Sequence, residues 1–218
     1  MLFCQNKPSL PDFSYETKLL KKGFKNIAGL DEVGRGSLAG PIVAGAVILN
    51  SKQYIKIKNK NLKYSIKDSK KLSPKQREKL FEIITSRVSA WAIGAINEKI
   101  IDKIGIAKAN ALVIKKAAKN LNVKPDFLLI DGNLKIDKIV IPNYNVIKGD
   151  EKIFSCACAS ILAKVYRDRL MKEKFHKKYQ LYGFDKHKGY GTKYHLEMIE
   201  RHGLCPLHRK SFKIKINK

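Results

Sequence analysis

Acidic residues are scarce in this chain. Its 218 residues hold 19 Asp and Glu against 45 Lys and Arg, a formal net charge of +26. Cysteine is also sparse. Cys4, Cys156, Cys158 and Cys205 show no framework spacing, which argues against a disulfide-stapled secreted domain and for reduced thiols in a cytoplasmic protein. Long apolar runs are missing: the stretch 38–49 is interrupted by Gly40, Pro41 and Gly45 and is too short to cross a bilayer. The N-terminus MLFCQNKPSL has neither the basic region nor the apolar core of a signal peptide. No internal repeat and no Gly/Ser- or Pro-rich linker divides the chain. One domain, or one domain with a small appendage, is expected at this length, large enough to bury a core without a metal or disulfide staple.

What is present is a globular composition, 44% hydrophobic and 29% charged, with a strong excess of positive charge. Such a surface concentrates polyanions, nucleic acid first and an anionic membrane face second. Lysines scattered over all segments also fit a lysine-rich composition with no such partner. The patch 52–70, where Lys and Asn interleave with Ile and Tyr, reads as a solvated loop.

Apolar runs at 27–33 and 41–49, separated by a glycine-containing connection, predict an antiparallel strand pair. Ser73-Pro74-Lys75-Gln76 carries the signature of a helix start, with a capping residue, proline at the first helical position and glutamine at the capping-box position. Residues 91–96 read as a strand with Trp91 in the core. The spacing of Ile106, Ala109, Val113 and Ala117 predicts a helix over 105–121. DFLLID (126–131) reads as a buried strand and 144–148 as another. A long helix is expected over 154–174, small and apolar in its first half and basic in its second. A glycine-rich loop over 182–192 and a last helix over 193–202 follow. Strands that come first and then alternate with helices predict an α/β fold, a mixed central sheet flanked by helices. The boundaries follow as an N-terminal extension (1–26), a core (27–174) and a C-terminal helical and loop appendage packed on it (175–218).

With so few acids, those that interrupt apolar runs stand out. Asp31 and Glu32 lie inside IAGLDEVG, Asp131 ends DFLLID, and Asp150 follows Lys148-Gly149 ahead of the small-residue helix. A carboxylate in a buried strand is costly unless paired or metal-bound. For Asp150 alone, capping a turn or pairing with a lysine explains the residue as well. Several carboxylates with few histidines suit hard cations, Mg²⁺ or Mn²⁺, and two such ions can hydrolyse a phosphodiester. Adjacent strand residues point to opposite faces, so Asp31 and Glu32 reach one site only if the strand ends or bulges, which Gly34 and Gly36 permit. Gly34-Arg35-Gly36 would let main chain approach a ligand, with Arg35 as a planar phosphate donor.

The blocks GLDEVGRGSLAGP (29–41), DSKKLS (68–73), LLIDGN (128–133), KGD (148–150), ASILAKVYRD (159–168), HKGYGT (187–192) and HRKSF (208–212), in this order, closely resemble type 2 ribonuclease H, ribonuclease HII. The resemblance covers nearly the whole chain. It implies a ribonuclease H-like core with a C-terminal helical segment. The implied activity is hydrolysis of the RNA strand of RNA–DNA hybrids and incision 5′ to single ribonucleotides in duplex DNA, as in ribonucleotide removal during replication and repair, leaving 3′-hydroxyl and 5′-phosphate ends. The family's four acids match Asp31, Glu32, Asp131 and Asp150, as catalytic and metal-holding residues of a two-ion Mg²⁺ or Mn²⁺ site. Its Gly-Arg-Gly loop matches Gly34, Arg35 and Gly36, whose backbone would contact 2′-hydroxyls. Tyr190 would stack on the sugar after the ribonucleotide, and Lys70 and Lys71 would meet backbone phosphate. A monomer in the cytoplasm, acting on nucleic acid and not on a membrane, is implied. Departures are Cys156 and Cys158, where Ala, Ser or Ile is usual, and Tyr166, where threonine is frequent. The two thiols read as small buried helix residues and not as a zinc site. Only residues 1–26 precede the first strand, which favours type 2 over the type 3 enzyme with its long N-terminal domain. The five histidines read as surface or hydrogen-bonded. Two rivals remain: a DNA nuclease on the same fold, and a non-catalytic basic RNA-binding protein, which would have no use for acids in apolar runs.

Overall fold

The computed structural model describes residues 10–49, 66, 72–137 and 139–214. Lys70, Lys71, Cys4 and nearly all of the lysine-rich patch over 52–70 lie outside these residues. Five strands, β1 (Ile27–Val33), β2 (Ile42–Leu49), β3 (Ala90–Ile96), β4 (Phe127–Asp131) and β5 (Asn143–Val146), form one sheet in the order β3-β2-β1-β4-β5. The β1–β2 and β2–β3 pairs are antiparallel, and β1–β4 and β4–β5 are parallel. The sheet is mixed, as the order of apolar runs predicts. The helices are α1 (Ser14–Lys21), α2 (Pro74–Thr85), α3 (Glu98–Ile104), α4 (Ile106–Lys119), α5 (Gly149–Lys152), α6 (Phe154–Arg169), α7 (His176–Lys178), α8 (Phe184–His187) and α9 (Lys193–His202).

The two faces of the sheet are covered by different helices. Ala28 and Leu30 of β1 pack with Val113, Ile114 and Ala117 of α4. The opposite face takes α6, and there the strands carry glycine. A Cβ on Gly29 would stand 2.4 Å from Ser155, and one on Gly45 would stand 2.3 Å from the Ala159 carbonyl oxygen. Close approach on this side requires small helix residues as well, and Cys156 and Cys158 are fully buried there. The Cys156 thiol donates to the Leu129 carbonyl at 3.4 Å. The reading of both as small packing residues holds.

Local side-chain caps account for three helix starts, at Ser73, Asn97 and Thr192. Ser73 and Gln76 make the reciprocal capping box of α2 that their spacing predicts. The N-terminus of α6 is satisfied from a distant element: Glu16 of α1 accepts from the Ser155 amide at 3.0 Å. Phe13, just before α1, stacks on Phe154 with ring centroids 4.3 Å apart.

The structure departs from the sequence reading in several places, one of them the stretch 182–192, read as a loop, which contains the short helix α8 (Phe184–His187). The residues ahead of β1 include α1, which packs Leu19 against Ile27, Leu129 and Cys156. An unexpected helix, α3, is capped by Asn97, which accepts from the Ile100 amide at 3.0 Å. The long helix leaves α geometry after Arg169 and continues as a π-helix over Leu170–Phe175. Trp91 is not core: β3 is an edge strand, and Trp91 is 38% exposed, edge-to-face with Phe81 of α2. The C-terminal segment has its own small core, in which Met171, Phe184, Ile199 and Leu207 close over Ala39. Among the described residues no helix is long and apolar enough to cross a membrane.

Candidate active site

The parallel pairing sets the site. Leu30 of β1 lies opposite Ile130 of β4, so the next residues, Asp31 and Asp131, emerge side by side. β5 runs parallel to β4 and places Val146 opposite Asp131. The chain then turns through Lys148, whose φ of 59° is left-handed, and the Gly149 amide donates to Asp131 Oδ1. That turn brings Asp150, in the first turn of α5, onto the same spot. One carboxylate oxygen from each of Asp31, Asp131 and Asp150 lies within 4.8 Å of the other two. Asp31 and Asp150 are buried and Asp131 is half-buried. The cluster stands at the carboxyl ends of parallel strands, where α/β sheets place their ligands.

Glu32 lies outside this three-acid group. It points to the other face, as strand alternation requires, and accepts from Asn110 Nδ2 of α4 at 3.1 Å. The Glu32 amide donates to Asp31 Oδ1 at 2.7 Å. Burial, then the charges of Asp131 and Glu32, push the Asp31 carboxyl well above the usual carboxylate range, and a bond from Ser160 offsets part of the rise. Burial also raises Glu32, against the bond from Asn110. Among the described residues no lysine or arginine pairs with Asp31 or Asp131. Clustered oxygen donors, two of them with no lysine or arginine paired to them, fit a hard divalent cation.

The other expected residues are placed as follows. Gly34 is buried, and Arg35 and Gly36 are exposed in the loop after β1. The Gly189 carbonyl accepts from the Leu38 and Ala39 amides, so the segment carrying Tyr190 flanks that loop. The half-buried Tyr190 ring has the Arg167 guanidinium 5.3 Å and the Lys164 ammonium 5.6 Å from its centroid. The five histidines do not form a metal group among the described residues. His195 and His208 are buried and bond to each other through Nε2 at 3.0 Å. Sequence reasoning passed over Asn110 and Ser160. Both are polar residues inside otherwise apolar helix faces, the same signal that singled out the acids.

A mixed sheet flanked by helices, with acids converging at its strand ends, defines a hydrolase of the ribonuclease H class. A family model described as Ribonuclease HII matches residues 28–215. The ribonuclease HII of Caldicellulosiruptor bescii is 48% identical over 200 residues, 92% of this chain and 92% of that protein. The crystal structure of the ribonuclease H2 from Pyrococcus horikoshii OT3 superposes with a TM-score of 0.72 at 28% identity, covering 86% of this chain and 94% of that one. A ribonuclease HIII, Bst-RNase HIII in complex with Mn²⁺, shares the fold with a TM-score of 0.64 at 22% identity, over 82% of this chain and 63% of that one. This chain belongs to the ribonuclease HII family.

Proposed function

We propose that the protein hydrolyses the RNA strand of RNA–DNA hybrids, and cuts on the 5′ side of single ribonucleotides in duplex DNA, leaving 3′-hydroxyl and 5′-phosphate ends. The observation that carries this reading is the convergence of Asp31, Asp131 and Asp150 within 4.8 Å in a chain of the ribonuclease HII family. These three would hold two divalent ions, Mg²⁺ or Mn²⁺, with Glu32 completing the set from the other face of β1. The Mn²⁺ bound to the Bst-RNase HIII neighbour supports a hard, oxygen-bound ion. Held there, such ions would supply Lewis acidity to an attacking water and offset charge on the departing 3′-oxygen.

The protein's own groups do the rest. Asp31 lies against Asp131 in a buried setting, which raises its carboxyl well above the usual carboxylate range and disfavours its charged form while no cation is bound. Asn110 and Ser160 hold Glu32 and Asp31 in place. The Gly34-Arg35-Gly36 backbone reads the 2′-hydroxyl, which distinguishes RNA from DNA, and Tyr190 stacks on the following sugar. Lys70 and Lys71, outside the described residues, take backbone phosphate.

The test is cleavage of a labelled DNA duplex carrying one ribonucleotide, beside an all-DNA duplex, in Mg²⁺, Mn²⁺ or EDTA. A single metal-dependent cut 5′ to the ribonucleotide, with the all-DNA control intact, is expected. Cutting of both duplexes would mean a DNA nuclease, and binding without cutting in either metal would mean a non-catalytic binder.

A further inference from the structure

Two arginines are fully buried at the junction of the Gly34-Arg35-Gly36 loop and the C-terminal segment. Arg209 donates from Nε to the Gly40 carbonyl at 3.0 Å, from Nη1 to the Arg35 carbonyl at 2.9 Å and from Nη2 to the Gly34 carbonyl at 2.7 Å. Arg167 donates to the Pro41, Ala39 and Lys188 carbonyls and to Ser37 Oγ, at 2.9–3.1 Å. Neither makes an ion pair with a carboxylate among the described residues. Burying two neighbouring cations is expensive. Burial, and then the charge of Arg167, disfavour the charged form of Arg209. A fold needing only volume here would use an apolar side chain. What the guanidinium provides is a planar fork that fixes several carbonyl directions at once.

Those directions have a consequence on the other side of the peptide planes. In a trans peptide the carbonyl of one residue and the amide N–H of the next point opposite ways. With the Gly34 and Arg35 carbonyls turned inward onto Arg209, the amides of Arg35 and Gly36 are turned away from it. Both residues are exposed. The later amides of the loop are spent internally: Ser37 donates to Gly34, Leu38 and Ala39 to Gly189, and Gly40 to Leu207. Gly34 itself has a φ of 86°, and a Cβ there would stand 2.2 Å from Arg167 Nε. The arginines and the glycine therefore fit only together.

We infer that Arg209, braced by Arg167, is a positioning residue that sets ribonucleotide recognition by aiming the Arg35 and Gly36 amides at the substrate. This rests on the proposed function, because it names what orients that loop. Arg209 touches no reacting atom. Its loss acts on discrimination and not on the carboxylate cluster.

The experiment compares wild type with Arg209→Lys and Arg209→Met, each verified as folded by circular dichroism. Binding is measured in Ca²⁺, to a DNA duplex with one ribonucleotide and to the same duplex without it. Losing hydrogen bonds to a charged donor should cost the ribonucleotide preference about tenfold or more. Affinity for the all-DNA duplex should hold, and lysine should restore part of the preference that methionine loses. A general structural role would weaken both duplexes together. Equal discrimination in folded Arg209 variants would overturn the proposal. Should neither variant fold, Arg167→Lys, which loosens the Ala39 and Pro41 end of the same loop, is read in the same way with the same loss expected. Amide hydrogen exchange at Arg35 and Gly36 separates this proposal from the functional one. If wild type shows no ribonucleotide preference, the functional reading fails. The positioning role then stands only if exchange at those two amides changes in the Arg209 variants, and unchanged exchange overturns it.

Discussion

At Asp131 a single atom decides between two roles. Its Oδ1 accepts from the Gly149 amide, which holds the turn leading to Asp150, and the carboxylate also faces Asp31. Asparagine keeps the acceptor but not the charge. Asp131→Asn is therefore expected to fold and to bind hybrid with near-normal affinity. Its cleavage rate should fall roughly a thousandfold, the several kcal/mol that a metal-held transition state is worth; turnover close to wild type in a single-turnover assay would remove Asp131 from the metal site. Glu16 is a buried acid of another kind. It is 3% exposed, and its Oε1 receives the Ser155 amide. Burial pushes its carboxyl up, and the Ser155 bonds offset part of that. The folded value lies above the unfolded one, so the contribution to stability is full below the ordinary glutamate range and is lost as pH rises through the folded value. Glu16→Gln retains the acceptor and does not titrate. Melting curves of the two proteins taken in EDTA over about pH 4 to 8 should diverge, wild type losing ground to the variant as pH rises. Parallel curves would show that Glu16 does not carry a raised value.

The contact between α6 and the sheet depends on glycine, and two glycines give opposite expectations. A Cβ on Gly45 meets the Ala159 carbonyl oxygen at 2.3 Å, whereas one on Gly36 meets nothing within 4 Å. Gly45→Ala should cost about 1–3 kcal/mol through overpacking, lowering the melting temperature by roughly 2–4 °C per kcal/mol in a chain of this size. Gly36→Ala should leave the melting temperature unchanged. Equal melting temperatures for all three proteins would mean that α6 does not pack as closely as described. At this scale much was legible. Four of the five strands announce themselves as apolar runs, β5 (Asn-Tyr-Asn-Val) being the exception; α2 announces itself by its capping box, and the acids by interrupting apolar sequence. The rest was hidden for physical reasons. α3 has seven residues, too few for a periodic pattern to register, and only the Asn97 cap betrays it. The exposure of Trp91 follows from β3 being an edge strand, a fact of sheet order that no local pattern contains. Arg167 and Arg209 look like two more cations in a basic chain. Their burial is set by carbonyls of residues 34–41, far away in sequence. Their motif blocks supported the family resemblance while their task stayed invisible.

The whole molecule carries a net charge of +26, and the structure gives part of that excess a location. A cleft of about 510 Å³ runs between the start of α2, the end of α6 and the segment holding Tyr190; Lys75, Lys164, Lys172, Lys186 and Lys188 line it. Some of its charge is internally compensated, since Lys164 pairs with Asp168 at 2.9 Å and Arg169 pairs with Glu78. Lys172 is exposed and forms no ion pair among the described residues. If the duplex lies along this cleft, binding is driven by counterion release, and log K falls with log salt by about 0.9 for each phosphate neutralised. Removing a lysine that meets phosphate lowers that slope by about one contact and weakens every duplex alike. Lys172→Ala should therefore bind the ribonucleotide-containing and all-DNA duplexes more weakly by the same factor, with a shallower salt dependence for both. This is the opposite signature to the one expected for Arg209, where preference changes and general affinity holds. An unchanged slope for Lys172→Ala would place the duplex elsewhere on the basic surface. A slope change confined to the ribonucleotide-containing duplex would mean that the cleft reads the sugar and not the backbone.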